Sequence, residues 1–125
     1  MTLRVLVTGG RDFKDRQKVF DVLDEVFGVC EAELLGVAGC IIHGGATGAD
    51  LWADEWAIVN WKPIHSFPVT QQEWKTIGLK AGPLRNQRML DEGKPDLVVS
   101  FPGGSGTADM VRRAKKAGIR VMEIT

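Results

Sequence analysis

Short apolar, β-branched runs alternate along this chain with longer stretches whose apolar residues recur every three or four positions. The runs Leu3 to Thr8 (LRVLVT), Gly39 to His43, Pro63 to Phe67, Asp96 to Phe101 (DLVVSF) and Ile119 to Ile124 predict five strands. Between them, Val19, Leu23, Val26 and Phe27 predict a helix over residues 15–27. A second helix follows Thr47, read as its N-cap, with Asp50 completing a capping box and Ala53, Trp56, Ala57 and Asn60 on one face. Gly82-Pro83 opens a third helix that closes at Gly93. Met110, Val111, Ala114 and Ala117 mark the inner face of a last helix, closed by Gly118. The stretch from Pro68 to Gly82 shows no period and reads as a long loop. Regular alternation of strand and helix predicts a parallel sheet covered on both faces. The expectation is an α/β, Rossmann-like, three-layer fold with five parallel strands in the order 3-2-1-4-5, residues 1–125 forming a single domain.

Composition narrows the partners. Lys plus Arg and Asp plus Glu number 16 each, so no overall field draws the chain to nucleic acid. Arg112, Arg113, Lys115 and Lys116 read as a solvated helix face. No signal-peptide pattern and no apolar stretch of membrane-spanning length occurs, so no membrane association and a cytoplasmic location are expected. Cys30 and Cys40 lack the spacing of a zinc or redox motif, and Cys40 reads as a small core residue with no disulfide. With two histidines and no matching acidic cluster, neither a metal site nor a cofactor is expected. Tyrosine is absent, whereas Trp52, Trp56, Trp61 and Trp74 crowd the centre of the chain. Trp52 and Trp56 read as core or as an exposed aromatic stripe for homo-oligomer formation, and Trp74 as a residue able to stack on a base.

The chemistry resides in three glycine-rich segments, each at a strand-to-helix junction: Thr8-Gly9-Gly10-Arg11, His43-Gly44-Gly45-Ala46-Thr47-Gly48-Ala49-Asp50, and Pro102-Gly103-Gly104-Ser105-Gly106-Thr107. Glycine lets a ligand approach the backbone, and the following helix offers free N–H groups and partial positive charge to an anion. In the 3-2-1-4-5 order the first and third segments border the switch-point crevice, with the second beside them. No segment continues as a P-loop, and the first is not GxGxxG.

Taken in order, VTGGRDF, HGGATGAD, AGPLRNQRML and FPGGSGTADMV resemble the cpYpsA-related, YspA-like branch of the SLOG superfamily across nearly the whole chain. The resemblance implies a Rossmann-like domain that binds, senses or processes a nucleotide derivative such as an ADP-ribose-like or nucleotide-sugar molecule. The Lonely-guy phosphoribohydrolases of the same superfamily carry PGGxGTxxE, whose glutamate is central to cleavage of an N-glycosidic bond. Met110 stands at that position and cannot act as an acid or a carboxylate. Arg85, four residues before Met89, matches the arginine of their RKxxM motif. The resemblance thus carries over the binding half of the site, and leaves Asp50 and Asp109 as weak catalytic candidates.

The expected ligand-binding set comprises Gly9, Gly10, Arg11, His43, Gly44, Gly45, Ala46, Thr47, Gly48, Asp50, Arg85, Asn86, Arg88, Pro102, Gly103, Gly104, Ser105, Gly106 and Thr107. Arg85 reads as a bidentate phosphate clamp and Arg11 as a second anion contact. Asp50 is either a helix cap or an acceptor for ribose hydroxyls. Asn86 and His43 read as ligand contacts, and Arg88 as a contact or a surface partner of Asp91 or Glu92. Ser105 and Thr107 could cap the last helix while donating to a phosphate. The leading function is binding of a nucleotide-derived small molecule for sensing or sequestration. The alternatives are an N-glycosidic or phosphoribosyl hydrolase, and a protein-interaction module without ligand.

Overall fold

The computed structural model describes residues 2–29 and 36–125, which leaves Cys30 outside the described residues. Five strands form one parallel sheet: β1 (Leu3–Thr8), β2 (Gly39–His43), β3 (Ile64–Ser66), β4 (Leu97–Ser100) and β5 (Arg120–Glu123). Their order is β3-β2-β1-β4-β5, as the alternation predicts. Val5 of β1 lies opposite Ile41 of β2 and Leu97 of β4, which puts β1 at the centre. Strand alternation sends Val5, Val7, Ile41, Leu97 and Val99 to one face and Leu6, Ile42 and Val98 to the other. Both faces are covered, so the central strands are apolar throughout.

Helices α1 (Arg16–Phe27) and α2 (Ala49–Val59) cover the first face. Val19, Leu23 and Phe27 of α1 meet Ala53, Trp56 and Ala57 of α2, and Phe27 stacks on Trp56 with ring centroids 5.0 Å apart. Asp15 caps α1 by accepting from the Lys18 N–H at 3.0 Å. On the opposite face, α4 (Ala81–Gly93) and α5 (Ser105–Lys116) contribute Met89, Leu90, Met110 and Ala114 to the second core cluster, where Cys40 lies as a buried free thiol.

Four local expectations are corrected. The stretch from Pro68 to Gly82 is not irregular: α3 (Gln71–Ile77) and a 3₁₀ turn (Gly78–Lys80) occupy it, and Thr70 and Glu73 form a reciprocal capping box. No residue of α3 is buried, which is why no apolar period announces it. Conversely, the capping box expected at Thr47 and Asp50 does not form. Gly48 is the N-cap of α2, and the Thr47 hydroxyl donates instead to the Arg11 carbonyl at 3.1 Å. The aromatic stripe of α2 is not exposed either: Trp56 is fully buried, and half-buried Trp52 donates its indole N–H to the Phe13 carbonyl. Ala117 is the exposed C-cap of α5, leaving Met110 and Ala114 as its buried face.

Candidate functional site

All three glycine segments lie at the C-terminal edge of the sheet, and the first ties the others together. Gly10 donates its N–H to the Pro102 carbonyl at 2.9 Å, and its own carbonyl accepts from Ala49 at 3.4 Å. This closeness depends on glycine. A Cβ on Gly103 would stand 2.6 Å from the Gly10 nitrogen, and Gly48, at φ +72°, would press one against the Gly10 carbonyl. Gly9, Gly10, Gly48, Pro102 and Gly103 therefore hold loop against loop.

In the second segment the protein supplies an anion of its own, and the N–H groups of Gly44, Gly45 and Ala46 are taken within the loop. Asp50 Oδ2 accepts from Gly44 at 3.1 Å and from Ala46 at 3.3 Å. The remaining donor of this turn, the Gly45 N–H, goes to His43 Nδ1 at 2.9 Å. A ring nitrogen that accepts carries no proton, so the histidine hydrogen sits on Nε2 and faces Asp54 Oδ1 at 2.7 Å. Both ring nitrogens are engaged within the protein, and His43 braces the loop. Burial pushes the Asp50 carboxyl up, against the opposing pull of the Ala46 N–H, the Arg85 charge and the Gly44 N–H.

Consecutive residues of α4 span the gap between the second and third segments. Arg85 Nη1 donates to the Gly44 carbonyl at 2.6 Å, whereas Asn86 Nδ2 donates to the Gly106 carbonyl at 3.2 Å. Asn86 Nδ2 also reaches Asp109 Oδ2 at 3.0 Å, and its carbonyl accepts from Arg85 Nε at 3.2 Å. Both ends of its amide are hydrogen-bonded within the protein. Burial lowers the affinity of Arg85 for its proton, Asp50 and Glu73 counteract this, and Arg11 adds to it. The guanidinium nevertheless stays charged. Arg11 is exposed, with its guanidinium 5.9 Å from the centre of the Trp74 ring in α3. Arg88 is a surface residue: it pairs with Glu92 at 3.1 Å and lies over Phe67.

The third segment differs from the first turn of the second, residues 44–46, because no carboxylate or ring of the protein takes its donors. Gly104 is the N-cap of α5, and neither Ser105 nor Thr107 supplies a capping bond. Among the described residues, no backbone acceptor or side chain takes the N–H groups of residues 103–107. Nothing lies within 4 Å of where a Cβ on Gly104 or Gly106 would point, and neither glycine has positive φ. A cleft of about 450 Å³ opens here, with Ser100, Gly103, Gly104 and Thr107 at its base and Val111, Arg112 and Lys115 along α5. A larger hollow of about 570 Å³, lined by Arg4, Cys40, Trp61 and Lys62, lies at the opposite end of the strands.

Asp109, the other carboxylate candidate, is tied into an ionic network. It is held by Arg112 at 2.7 Å, Arg113 at 2.9 Å and Asn86. Burial raises its carboxyl, but the hydrogen bonds from Asn86 and Arg113 and the charges of Arg113 and Arg112 outweigh it and hold the group below its ordinary range. Met110, one position on, is fully buried among Leu6, Ile42 and Val98. A glutamate there would enter an apolar core, so such a substitution measures burial of a charge rather than catalysis. Sequence spacing missed the Asp50, His43 and Asn86 networks, because each depends on partners brought together by the turns.

The sequence profile of the YspA, cpYpsA-related SLOG family matches residues 3–68, which contain both the first and second glycine segments. Gene 61 protein of Mycobacterium phage D29 is 40% identical over 126 residues, spanning 95% of this chain and 94% of that protein. The chain belongs to the YspA, cpYpsA-related SLOG family. Among solved structures, this SLOG domain fold is similar to UDP-GlcNAc 2-epimerase from Neisseria meningitidis bound to UDP-GlcNAc, with a TM-score of 0.55 and 16% identity. The match covers 99% of the SLOG family chain but 32% of the epimerase, and at that identity it shows the fold. No helix among the described residues is long and apolar enough to cross a membrane.

Proposed function

We propose that this protein binds a nucleotide-derived molecule, a phosphate of which rests on the N-terminus of α5, and that it acts as a sensor or a sequestering protein. The observation that carries the proposal is the third glycine segment. The N–H groups of residues 103–107 have no acceptor among the described residues, and Gly104 and Gly106 are glycines that neither packing nor φ demands. Close approach of an anion to the backbone accounts for both facts. Arg85 and Arg11 lie on the same side of the molecule and add positive charge beside the crevice. The nucleotide sugar held by the structurally similar epimerase makes that ligand class a natural member of a test panel.

On this reading residues 1–125 act as one cytoplasmic ligand-binding domain. Self-association involves Leu51 and Ile58, two turns apart on the exposed face of α2, with Trp61 just beyond its end. Native mass spectrometry with AMP, ADP-ribose, NAD, cyclic ADP-ribose isomers and UDP-GlcNAc tests the proposal. Retention of an intact member of the panel is the expected result. Release of free base and ribose phosphate would move the assignment to a hydrolase, and no binding across the panel would favour an interaction module.

A further inference from the structure

The second glycine segment poses a separate question, because a loop that supplies its own carboxylate repels a phosphate. Only Oδ2 of Asp50 is used by the Gly44 and Ala46 N–H groups. Oδ1 takes no hydrogen bond, yet no buried side-chain polar atom among the described residues lacks a partner. Oδ1 therefore keeps a small accessible area, although Asp50 as a whole is 6% exposed. Arg85 is arranged in the complementary way. Its Nη1 and Nε are held by the Gly44 carbonyl and by Asn86, while Nη2 has no acceptor among the described residues. The charges of Arg85 and Asp50 act on each other, yet the two do not pair directly among the ion pairs of the described residues. Both side chains are anchored to the same residue, Asp50 through the Gly44 N–H and Arg85 through the Gly44 carbonyl, and each keeps one polar atom without a partner among the described residues. Such a pair suits a group that both donates and accepts, which is the property of a hydroxyl and not of a phosphate.

We infer that Asp50 Oδ1 and Arg85 Nη2 form a hydroxyl subsite that takes the vicinal diol of a ribose. The subsite rests on the proposed phosphate site at α5 and deepens it. Arg85 and Asn86, adjacent in α4, hold the second and third segments respectively, so the ribose and the phosphate of one nucleotide would meet a single bracket. Diol recognition makes Asp50 a specificity-determining residue, and its loop a reader of sugar rather than of phosphate.

Binding of ADP, 2′,3′-dideoxy-ADP and inorganic pyrophosphate, measured by calorimetry on the wild type and on Asp50→Asn, tests the inference. The amide oxygen of the substituted side chain can still accept from Gly44 and Ala46, so the loop keeps its shape. Wild type should prefer ADP over its dideoxy analogue by roughly tenfold or more, as expected for a hydrogen bond to a charged group. Asp50→Asn should lose most of that preference while binding pyrophosphate as wild type does. Equal binding of the two nucleotides by wild type, or pyrophosphate binding with no gain for ADP, overturns the subsite and leaves the phosphate site standing. Failure of all three probes overturns the phosphate site, and the subsite with it. The wild-type comparison decides the matter even if Asp50→Asn proves unstable.

Discussion

At the scale of single residues, the glycines divide into those the fold needs and those it does not. Gly48 combines φ +72° with close contact to the Gly10 carbonyl, a backbone conformation that only glycine adopts cheaply. Gly48→Ala should therefore destabilise the protein by about 2 kcal/mol or more, read as a lower midpoint in chemical denaturation. Gly104→Ala meets nothing within 4 Å and should stay within about 1 kcal/mol of wild type, yet it should weaken nucleotide binding by crowding the N–H groups. Loss of stability without loss of binding in Gly104→Ala would refute this division. The glycine pattern itself was legible in the sequence, but the division was not. Spacing cannot distinguish a glycine pressed against Gly10 from one facing open space. Nor does it reveal that Asp50 occupies the anion position of its own loop, because Thr47 and Asp50 stand at the spacing of a capping box that the turn at Gly48 dissolves.

At the scale of elements, the sheet was the most legible feature. Val5, Leu6 and Val7 are each buried, on alternating faces, so an unbroken apolar run at β1 directly records cover on both sides. α3 was not legible through periodicity, since it buries none of its residues, although Thr70 and Glu73 stood at capping-box spacing. The same lack of burial predicts its behaviour. With little tertiary packing, a seven-residue helix depends on its cap, and its amides should exchange with solvent far faster than those of α2 or α4. Thr70→Ala should raise that exchange further while leaving the global unfolding midpoint nearly unchanged. Slow, globally limited exchange in residues 71–77 would show that α3 is bound more firmly than its exposure implies.

For the whole molecule, the junction of α4 and α5 links stability to acid. Asp109 joins Asn86 of α4 to Arg112 and Arg113 of α5, and its carboxyl is held below its ordinary range. A group depressed on folding contributes stability above its unfolded pKa of about 3.9, and that contribution fades as pH falls through the lower folded value. Asp50 has the opposite sign: its raised carboxyl makes ionisation costly in the fold, a cost that acid relieves. Denaturation followed below about pH 4 should therefore show Asp109→Asn losing less stability with acid than wild type, after a lower starting value at neutral pH. Parallel acid limbs for the two proteins would remove Asp109 from the account. Long-range links of this kind, from residue 86 to residue 109, lie beyond what periodicity in the sequence can express.

The central claim is that an anionic end of a nucleotide derivative rests on the open N–H groups at the start of α5. Amide chemical shifts recorded during titration with inorganic pyrophosphate, followed by the tightest ligand of the nucleotide panel, test it most directly. The account predicts saturable shifts concentrated at residues 103–107, together with the side-chain signal of Arg85, and their loss in Gly104→Ala. Binding that leaves these amides unmoved, or shifts confined to residues 44–46, would contradict it.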